Sequence, residues 1–315
     1  MITDANKSKR KRQISKIKRS ALYFFRITKK KKFISALLIF AFCFLPFDFA
    51  LAQEAIGTSV LPESKVWFSL RDGILSEAHY PNLKTNHLSE LFFVITDGKN
   101  FAISERDSAV KKETVQTNPN SLTFRQISTH PKLKFTLTKT YCAYPDFSTV
   151  LVNVDFRAPK NYQLYVVFNP AMANTEANDT ANTFGGQGAF SVYENDFCAA
   201  LIAEKGFAEM SVDALGTNDG LQKLLHRFKL TKVNQRTENS DVICVARVKQ
   251  PRKFMLALAF SETPEKALIE AEHCLEGDFE DTLADYEKGW SDWLKTNINS
   301  PLPLTAMLRK AHEKK

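Results

Sequence analysis

The sequence predicts a mainly β protein in which a large antiparallel two-sheet sandwich is followed by helices. From residue 65 to residue 260, short runs of β-branched and aromatic residues alternate with turn signals, which is typical of an all-β sandwich. After residue 260 the apolar residues recur every three or four positions, which indicates amphipathic helices. The number of strand-like runs exceeds that of a seven-stranded sandwich, so we expect one large β domain of about 200 residues.

The net charge of +8 belongs to the N-terminus and not to the predicted domain. Residues 1–52 hold 13 of the 43 Lys and Arg but only 2 of the 35 acidic residues. The remaining 30 basic and 33 acidic residues give that part of the chain a slightly negative charge. A basic nucleic-acid-binding surface is therefore not expected.

Residues 1–52 have the pattern of a signal peptide. A basic region at 1–32 precedes an apolar region at 33–47, and the small-residue site Ala50-Leu51-Ala52 follows. We expect cleavage after Ala52 and export to the periplasm or the medium. The apolar region is shorter than the ~20 residues of a spanning helix. An uncleaved anchor is the alternative, and only in that case is the membrane a partner.

Two β-hairpins begin the predicted sandwich. Strand-like residues 66–70 and 74–80 flank Asp72-Gly73, and residues 91–96 and 101–103 flank Asp97-Gly98. Glycine provides the positive φ that such tight turns need. Further strands are predicted at residues 133–137, 150–156, 163–168, 199–203, 228–233, 242–248 and 254–260.

The helical part opens with Thr263 as N-cap and Pro264 at the first helical position. A second amphipathic helix is expected from Phe279 to Leu294, and a third pattern follows the prolines at 301 and 303. The predicted organisation is a β-sandwich at 53–262, a helical linker at 263–300, and the start of a helical domain at 301–315.

Four cysteines follow the predicted cleavage site, at positions 142, 198, 244 and 274. An oxidising compartment would permit two disulfides, in any of three pairings. Cys142, Cys198 and Cys244 each lie in an apolar run, however, so we favour buried free thiols.

No group of residues forms a recognisable catalytic, cofactor-binding or metal-binding motif, and none is predicted. The histidines have no partner at metal-binding spacing, and the glycine-rich residues 185–188 lack the features of a phosphate loop. Aspartates that precede glycine are explained by turns, and the tryptophans by core packing. The residues considered were His79, His130, His226, His273, Glu77, Asp72, Asp97, Asp107, Asp213, Asp219, Trp67, Trp290 and Trp293.

Several segments together resemble the N-terminal domain of bacterial glucoamylases and glucodextranases, in glycoside hydrolase family 15. They are, in family order, KVWFSL from Lys65, DGILSE from Asp72, ITDGK from Ile95, NPA from Asn169, LALAF from Leu256 and YEKGW from Tyr286. The resemblance covers residue 57 to the C-terminus. Two positions depart from the family pattern. Ala78-His79 stands where valine followed by an aromatic residue is expected, and Leu221 stands where tryptophan is expected.

The resemblance implies a sandwich like that of galactose mutarotase, joined by a helical linker to an α/α barrel that hydrolyses α-glucans with inversion. In that family two glutamates of the barrel act as general acid and general base. Neither can be assigned here, because residues 308–314 resemble the start of the first barrel helix. The expected role is therefore support of a barrel, in the same polypeptide or in trans, with an α-glucan bound through that barrel and no catalysis by this chain alone.

Two other functions remain open from the sequence. A free-standing carbohydrate-binding sandwich would hold glucan without hydrolysing it. A mutarotase-like epimerase would need a histidine and a glutamate acid/base pair in a cleft. The sequence singles out no such pair.

Overall fold

The computed structural model describes residues 54–184, 186–231 and 233–297. The predicted signal peptide, its cleavage site and the third helix lie outside these residues. Within them, no helix is long and apolar enough to cross a membrane.

The described strands form two antiparallel sheets. The first has eight strands, in the order β1-β2-β3-β4-β10-β16-β14 with β5 beside β4. The second has nine, in the order β15-β11-β12-β13-β17-β9-β8-β7-β6. The strands are β1 Ala55–Thr58, β2 Trp67–Arg71, β3 Ile74–His79, β4 Leu88–Thr96, β5 Ala102–Ser104, β6 Lys111–Gln116, β7 Phe124–His130, β8 Phe135–Ala143, β9 Thr149–Arg157, β10 Gln163–Pro170, β11 Asp179–Phe184, β12 Ala189–Glu194, β13 Phe197–Ala203, β14 Phe207–Ala214, β15 Arg236–Ser240, β16 Val242–Val248 and β17 Lys253–Ser261.

The main hydrophobic core lies between the two sheets. Phe93 of β4 meets Phe254 of β17 edge-on, with ring centroids 6.4 Å apart. The rings of Phe68 in β2 and Tyr141 in β8 are tilted against each other, with centroids 6.3 Å apart. These contacts join the inner faces of the two sheets, which makes the fold a two-sheet sandwich. The predicted mainly β, antiparallel two-sheet fold is confirmed.

Both predicted hairpins are present, and their turns have the expected backbone. Asp72 and Gly73 have φ of 51° and 78°, which matches a turn that needs two left-handed residues. In the second hairpin the Asp97 carboxylate accepts hydrogen bonds from the backbone N–H groups of Lys99 and Asn100, at 3.0 and 2.8 Å. These bonds hold the pKa of Asp97 well below its usual range.

Three helices of eight residues or more are described: α1 Gly220–Arg227, α2 Pro264–His273 and α3 Phe279–Asn297. Thr263 caps α2 as predicted, its side chain accepting from the backbone N–H of Lys266. The predicted second amphipathic helix is α3. Each helix buries one apolar face in the main core, including Leu268 of α2 and Trp290 of α3, so both pack against the sandwich.

The strand predicted at 228–233 is wrong. Helix α1 ends at Arg227, and the residues directly after it terminate the helix. Phe228 is the C-cap of α1, with φ of 65°, and its neighbours to Thr231 do not form a strand. Asp219, expected in a turn, is instead the N-cap of this helix and accepts from the backbone N–H of Gln222. A third correction concerns the strand predicted at 133–137, which begins at Phe135 because Lys134 turns with φ of 55°.

Helix α1 covers a second, smaller core on the outer face of the eight-stranded sheet. Leu221 and Leu224 pack on apolar residues of β3, β4, β10 and β16. Leu221 is the position at which the family pattern has tryptophan. It is buried here and does not form part of an exposed loop.

Candidate functional site

A groove opens where β3 and β4 separate. β3 and β4 are paired at Leu75 and Leu91, and the end of β3 is joined again to the segment before β4 by a bridge between His79 and Asn86. The groove encloses about 340 Å³, which is within the size range of small-ligand sites. It is lined by Arg71, Asp72, Ile74, Ser76, Glu77, Asn86, Leu88, Ser89 and Glu90.

Asn86 bridges the two separated strands at the inner end of the groove. Its Oδ1 accepts from the backbone N–H of Ala78 at 3.2 Å, and its Nδ2 donates to the carbonyl of Leu88 at 2.9 Å. One side chain thus replaces part of the missing ladder, satisfying backbone groups that would otherwise be unpaired.

The two glutamates of the groove have different arginine contacts, because Arg106 pairs closely with Glu90 whereas Arg71 pairs with Glu54 and only approaches Glu77. Arg106 contacts Glu90 at 2.9 Å, and Arg71 lies 3.9 Å from Glu77. His79 contacts Glu77 at 3.5 Å and lowers the pKa of that carboxyl, whereas burial raises the pKa of Glu90. Each carboxylate keeps lone pairs beyond these contacts, so it can still accept a hydrogen bond from a polar ligand.

A buried ion pair fixes the hairpin turn that forms one end of the groove. Lys139 Nζ lies 2.7 Å from Glu105, and both side chains are fully buried. The same Nζ donates to the carbonyl of Gly73 at 2.6 Å. Glu105 also accepts from the backbone N–H of Phe93 and from the Ser128 hydroxyl. Because every polar group of this network has a partner, the network orients the turn from inside the sandwich.

The loop of residues 171–178, hereafter the 171–178 loop, packs behind the groove and contacts two of its lining residues, Asn86 and Ser89. The backbone N–H of Asn174 donates to the Asn86 carbonyl at 2.9 Å, and Asn174 Oδ1 accepts from the Asn86 N–H at 2.7 Å. The N–H of Ala173 donates to His87 Nδ1 at 3.1 Å. Glu176 accepts from the Ser89 hydroxyl at 2.9 Å, so the loop is bound to the groove along its length.

His87 is fully buried and is held in one neutral tautomer. Its Nε2 lies 2.6 Å from the carbonyl of Tyr80 and must donate, because Nδ1 accepts from Ala173. Burial lowers the pKa of His87 to about 4. His87 therefore serves as a neutral connector between the groove and the 171–178 loop.

The structure places the candidate residues of the sequence analysis apart from one another. Only Glu77 and Asp72 line the groove, with His79 beside Glu77. Asp213 is buried 2.7 Å from the Ser211 hydroxyl near α1, and Asp107 accepts a loop N–H. Trp290 is buried, and Trp293 is 38% exposed on α3. Cys142, Cys198, Cys244 and Cys274 are buried free thiols, as predicted.

Sequence reasoning missed most of the groove. Arg71, Asn86 and Glu90 carry no local motif, and they are brought together by the separation of two strands. The one available signal was Asn86, a turn-forming residue preceding a long apolar strand. Within the described residues, no three His, Cys, Asp or Glu side chains are arranged to hold a metal ion.

The fold and site define a large two-sheet β-sandwich with helices packed on it and a polar groove at one end. Residues 48–295 match the family described as glucodextranase, domain N. The chain belongs to this family, as its resemblance predicted.

Known relatives agree with this assignment. A glucoamylase from Clostridium sp. (strain G0005) is 23% identical over 277 residues, which are 84% of this chain and 39% of that protein. A bacterial glucoamylase solved in complex with acarbose matches with a TM-score of 0.74 and 23% identity, over 78% of this chain and 37% of that one. An inverting mannosidase of family GH92 from Bacteroides thetaiotaomicron matches with a TM-score of 0.50 and 12% identity, over 76% of this chain and 33% of that one.

These solved structures share the fold with this chain. The chain spans less than two-fifths of the length of the glucoamylases it matches. The similarity covers their sandwich domain.

Proposed function

We propose that this chain is the non-catalytic sandwich of an exported, glucoamylase-like glycoside hydrolase. In this role it supports an α/α barrel, in the same polypeptide or in trans, and the barrel cleaves the α-glucan. The observation that carries the proposal is the family match over residues 48–295, together with the shared fold of a bacterial glucoamylase. Export rests on the pattern of residues 1–52.

The way in which α3 is attached to the sandwich supports this role. The Tyr286 hydroxyl donates a hydrogen bond to the carbonyl of Thr58 at 2.8 Å, and Trp290 is buried in the main core. An ideal Cβ on Gly289 would lie 3.1 Å from Val60, so the helix approaches the segment after β1 closely. A helix held in this way would give a domain that follows it a fixed orientation.

The test uses purified residues 53–315 with maltooligosaccharides. We expect no release of glucose from this protein alone. When the separately expressed barrel of a bacterial glucoamylase is added, we expect the two proteins to co-elute on size exclusion and the Tm of the barrel to rise. Release of glucose by residues 53–315 alone would contradict the proposal.

The groove favours a second candidate, in which the sandwich binds carbohydrate directly. Its lining offers guanidinium, amide, hydroxyl and carboxylate groups, which hydrogen-bond well to sugar hydroxyls. In affinity electrophoresis through glucan gels, the wild type would be retarded and Glu77→Gln would be retarded less. Glu265→Gln, on the exposed surface of α2 and away from the groove, is the matched control. Equal migration with and without glucan would contradict this candidate.

A further inference from the structure

Three strands bring acidic groups together behind the 171–178 loop. In the antiparallel pair of β11 and β12, Thr180 is opposite Tyr193, which places Asp179 opposite Glu194 at the end of the pair. On its other side Asp179 is opposite Ser240 of β15, whose next residue is Asp241. Directly opposite side chains have Cβ atoms about 4.5–5.5 Å apart, a distance at which two like charges destabilise a sheet.

Asp179 is buried, and its hydrogen bonding is incomplete. Its residue exposure is 0%, and its Oδ2 accepts from the backbone N–H of Met172 at a long 3.4 Å. Its Oδ1 has no hydrogen-bond donor, and neither the Ser240 hydroxyl nor Asp241 Oδ1 has a partner. Leaving an ionised carboxylate in this position is costly, and such a group takes up a proton instead.

The titratable groups around Asp179 are mostly other acids. Glu194 faces it from β12 and Asp241 from the start of β16, and the thiol of Cys244 lies on the core side. Glu176, on the loop itself, adds negative charge near Asp241, and His87 binds the loop from the β4 side. Burial and, to a smaller extent, the charges of Glu194 and Asp241 raise the pKa of Asp179 to about 7, although the hydrogen bond from Met172 acts in the opposite direction.

We propose that Asp179 and Glu194 share one proton, and that this proton fastens the 171–178 loop to the sandwich. Both carboxyls hold the loop directly. Asp179 accepts from Met172, and Glu194 Oε2 accepts from the Thr175 hydroxyl at 2.7 Å. When both carboxyls are ionised their repulsion acts on the two residues that anchor the loop.

The loop is poised to be released. Ala173 and Asn174 have φ of 55° and 68°, a left-handed conformation that costs free energy in residues other than glycine. This conformation is maintained by the hydrogen bonds to Asn86, His87 and Asp179. Loss of the Asp179 anchor would therefore weaken the support that the 171–178 loop gives to Asn86 and Ser89 of the groove.

Opening of the 171–178 loop depends on pH, because the closed loop binds the Asp179 proton more tightly than the open loop. The closed loop holds the Asp179 proton up to about pH 7, whereas an open loop exposes the carboxyl to solvent at its ordinary value near 3.8. Opening is therefore least favourable in acid. Its equilibrium constant rises about tenfold per pH unit until pH 7 and is constant above it.

The experiment measures the loop in residues 53–315 between pH 5 and 8. The methyl group of Met172, labelled with ¹³C, reports the closed state by NMR, and amide exchange of residues 172–174 reports opening. In the wild type we expect a Met172 titration with its midpoint near pH 7. We also expect amide protection, corrected for intrinsic exchange, to fall about tenfold per pH unit from pH 5 to 7.

Two variants and one control complete the test. Asp179→Asn cannot ionise and should give a flat Met172 profile. Glu194→Gln removes the facing charge and donates to Asp179, so its midpoint should fall by one pH unit or more. Should Asp179→Asn fail to fold, Glu194→Gln carries the test alone. Glu113→Gln, exposed on β6, should behave as wild type.

Three results would overturn the proposal. The first is a flat wild-type profile between pH 5 and 8. The second is a midpoint that neither variant changes. The third is a midpoint that moves by more than half a pH unit when 5 mM Ca²⁺ replaces EDTA, because a cation and not a proton would then neutralise the carboxyls.

Discussion

At the scale of single residues, the interior of the sandwich is most sensitive where charge is buried. Lys139 is fully buried, and this burial lowers its pKa, while Glu105 opposes the shift. The desolvation of two such ions is expensive, so the pair adds little net stability. The ion pair instead makes Lys139 and Glu105 depend on each other, because either charge alone would be buried without compensation.

Removal of one partner should therefore be much worse than removal of both. We expect Lys139→Met to lower the free energy of unfolding by about 3–5 kcal/mol, because the Glu105 carboxylate is left buried and uncompensated. Adding Glu105→Gln should recover part of this loss, with an interaction of about 0.5–3 kcal/mol between the two sites. Urea unfolding of the two single variants and the double variant measures the cycle. Simple additivity would show that the pair is not coupled.

Gly57 of β1 is a second sensitive residue, for a steric reason. An ideal Cβ at this position would lie 2.1 Å from Cζ of Phe68, whose ring is fully buried. Gly57→Ala should cost about 1–3 kcal/mol, because the ring must move within a packed core. Gly216→Ala is the matched control, since no atom lies within 4 Å of its Cβ position. Equal urea midpoints for the two variants would contradict the expected clash.

At the scale of elements, the sequence predicted best those strands and helices whose local signals agree with their packing. The Asp72-Gly73 turn and the Thr263-Pro264 helix start are short-range patterns, and both are present in the structure. Helix α1 was missed because the Asp219-Gly220 pair at its start is also a turn signal, and because its eight residues are followed by apolar residues. Its existence depends on covering the outer face of the eight-stranded sheet, a tertiary contact.

The polar edge strand β6, Lys111–Gln116, was also missed, because its sequence has little apolar alternation. It is held in place by pairing with β7 along its whole length. The groove and the Asp179–Glu194 pair could not be predicted either. Each depends on register between strands that are distant in the chain, and a single sequence does not contain that register.

Helix α3 gives a prediction at this scale. The Tyr286 hydroxyl donates to the carbonyl of Thr58, and the ring is buried between helix and sandwich. Tyr286→Phe should lower the free energy of unfolding by about 1–3 kcal/mol, because a buried carbonyl loses its donor. Tyr162→Phe, at a partly exposed ring on the surface, should change it by less than about 0.5 kcal/mol. Urea unfolding compares them, and similar losses would show that α3 is not held by this bond.

At the scale of the whole molecule, the core is continuous from the sheets into the helices. Residues of β2, β8, β17, α2 and α3 belong to one buried cluster. A core shared in this way favours a single cooperative transition, in which the helices unfold together with the sandwich.

The reactivity of the four buried thiols can report whether unfolding is cooperative, because the cysteines lie in different strands and helices. Cys142, Cys198, Cys244 and Cys274 belong to β8, β13, β16 and the end of α2, and all are buried free thiols. Burial raises the pKa of Cys198 to about 11 and that of Cys274 to about 12, which reduces the reactive thiolate about tenfold per unit.

We expect residues 53–315 to show no rapidly reacting thiol in native buffer and four in concentrated urea. Because global unfolding exposes all four together, their reactions with a disulfide reagent should share one dependence on urea concentration. The urea midpoint from circular dichroism should coincide with it. If Cys274 alone reacted at lower urea, α2 would unfold separately from the sandwich, and the helices would be a distinct unit attached to its surface.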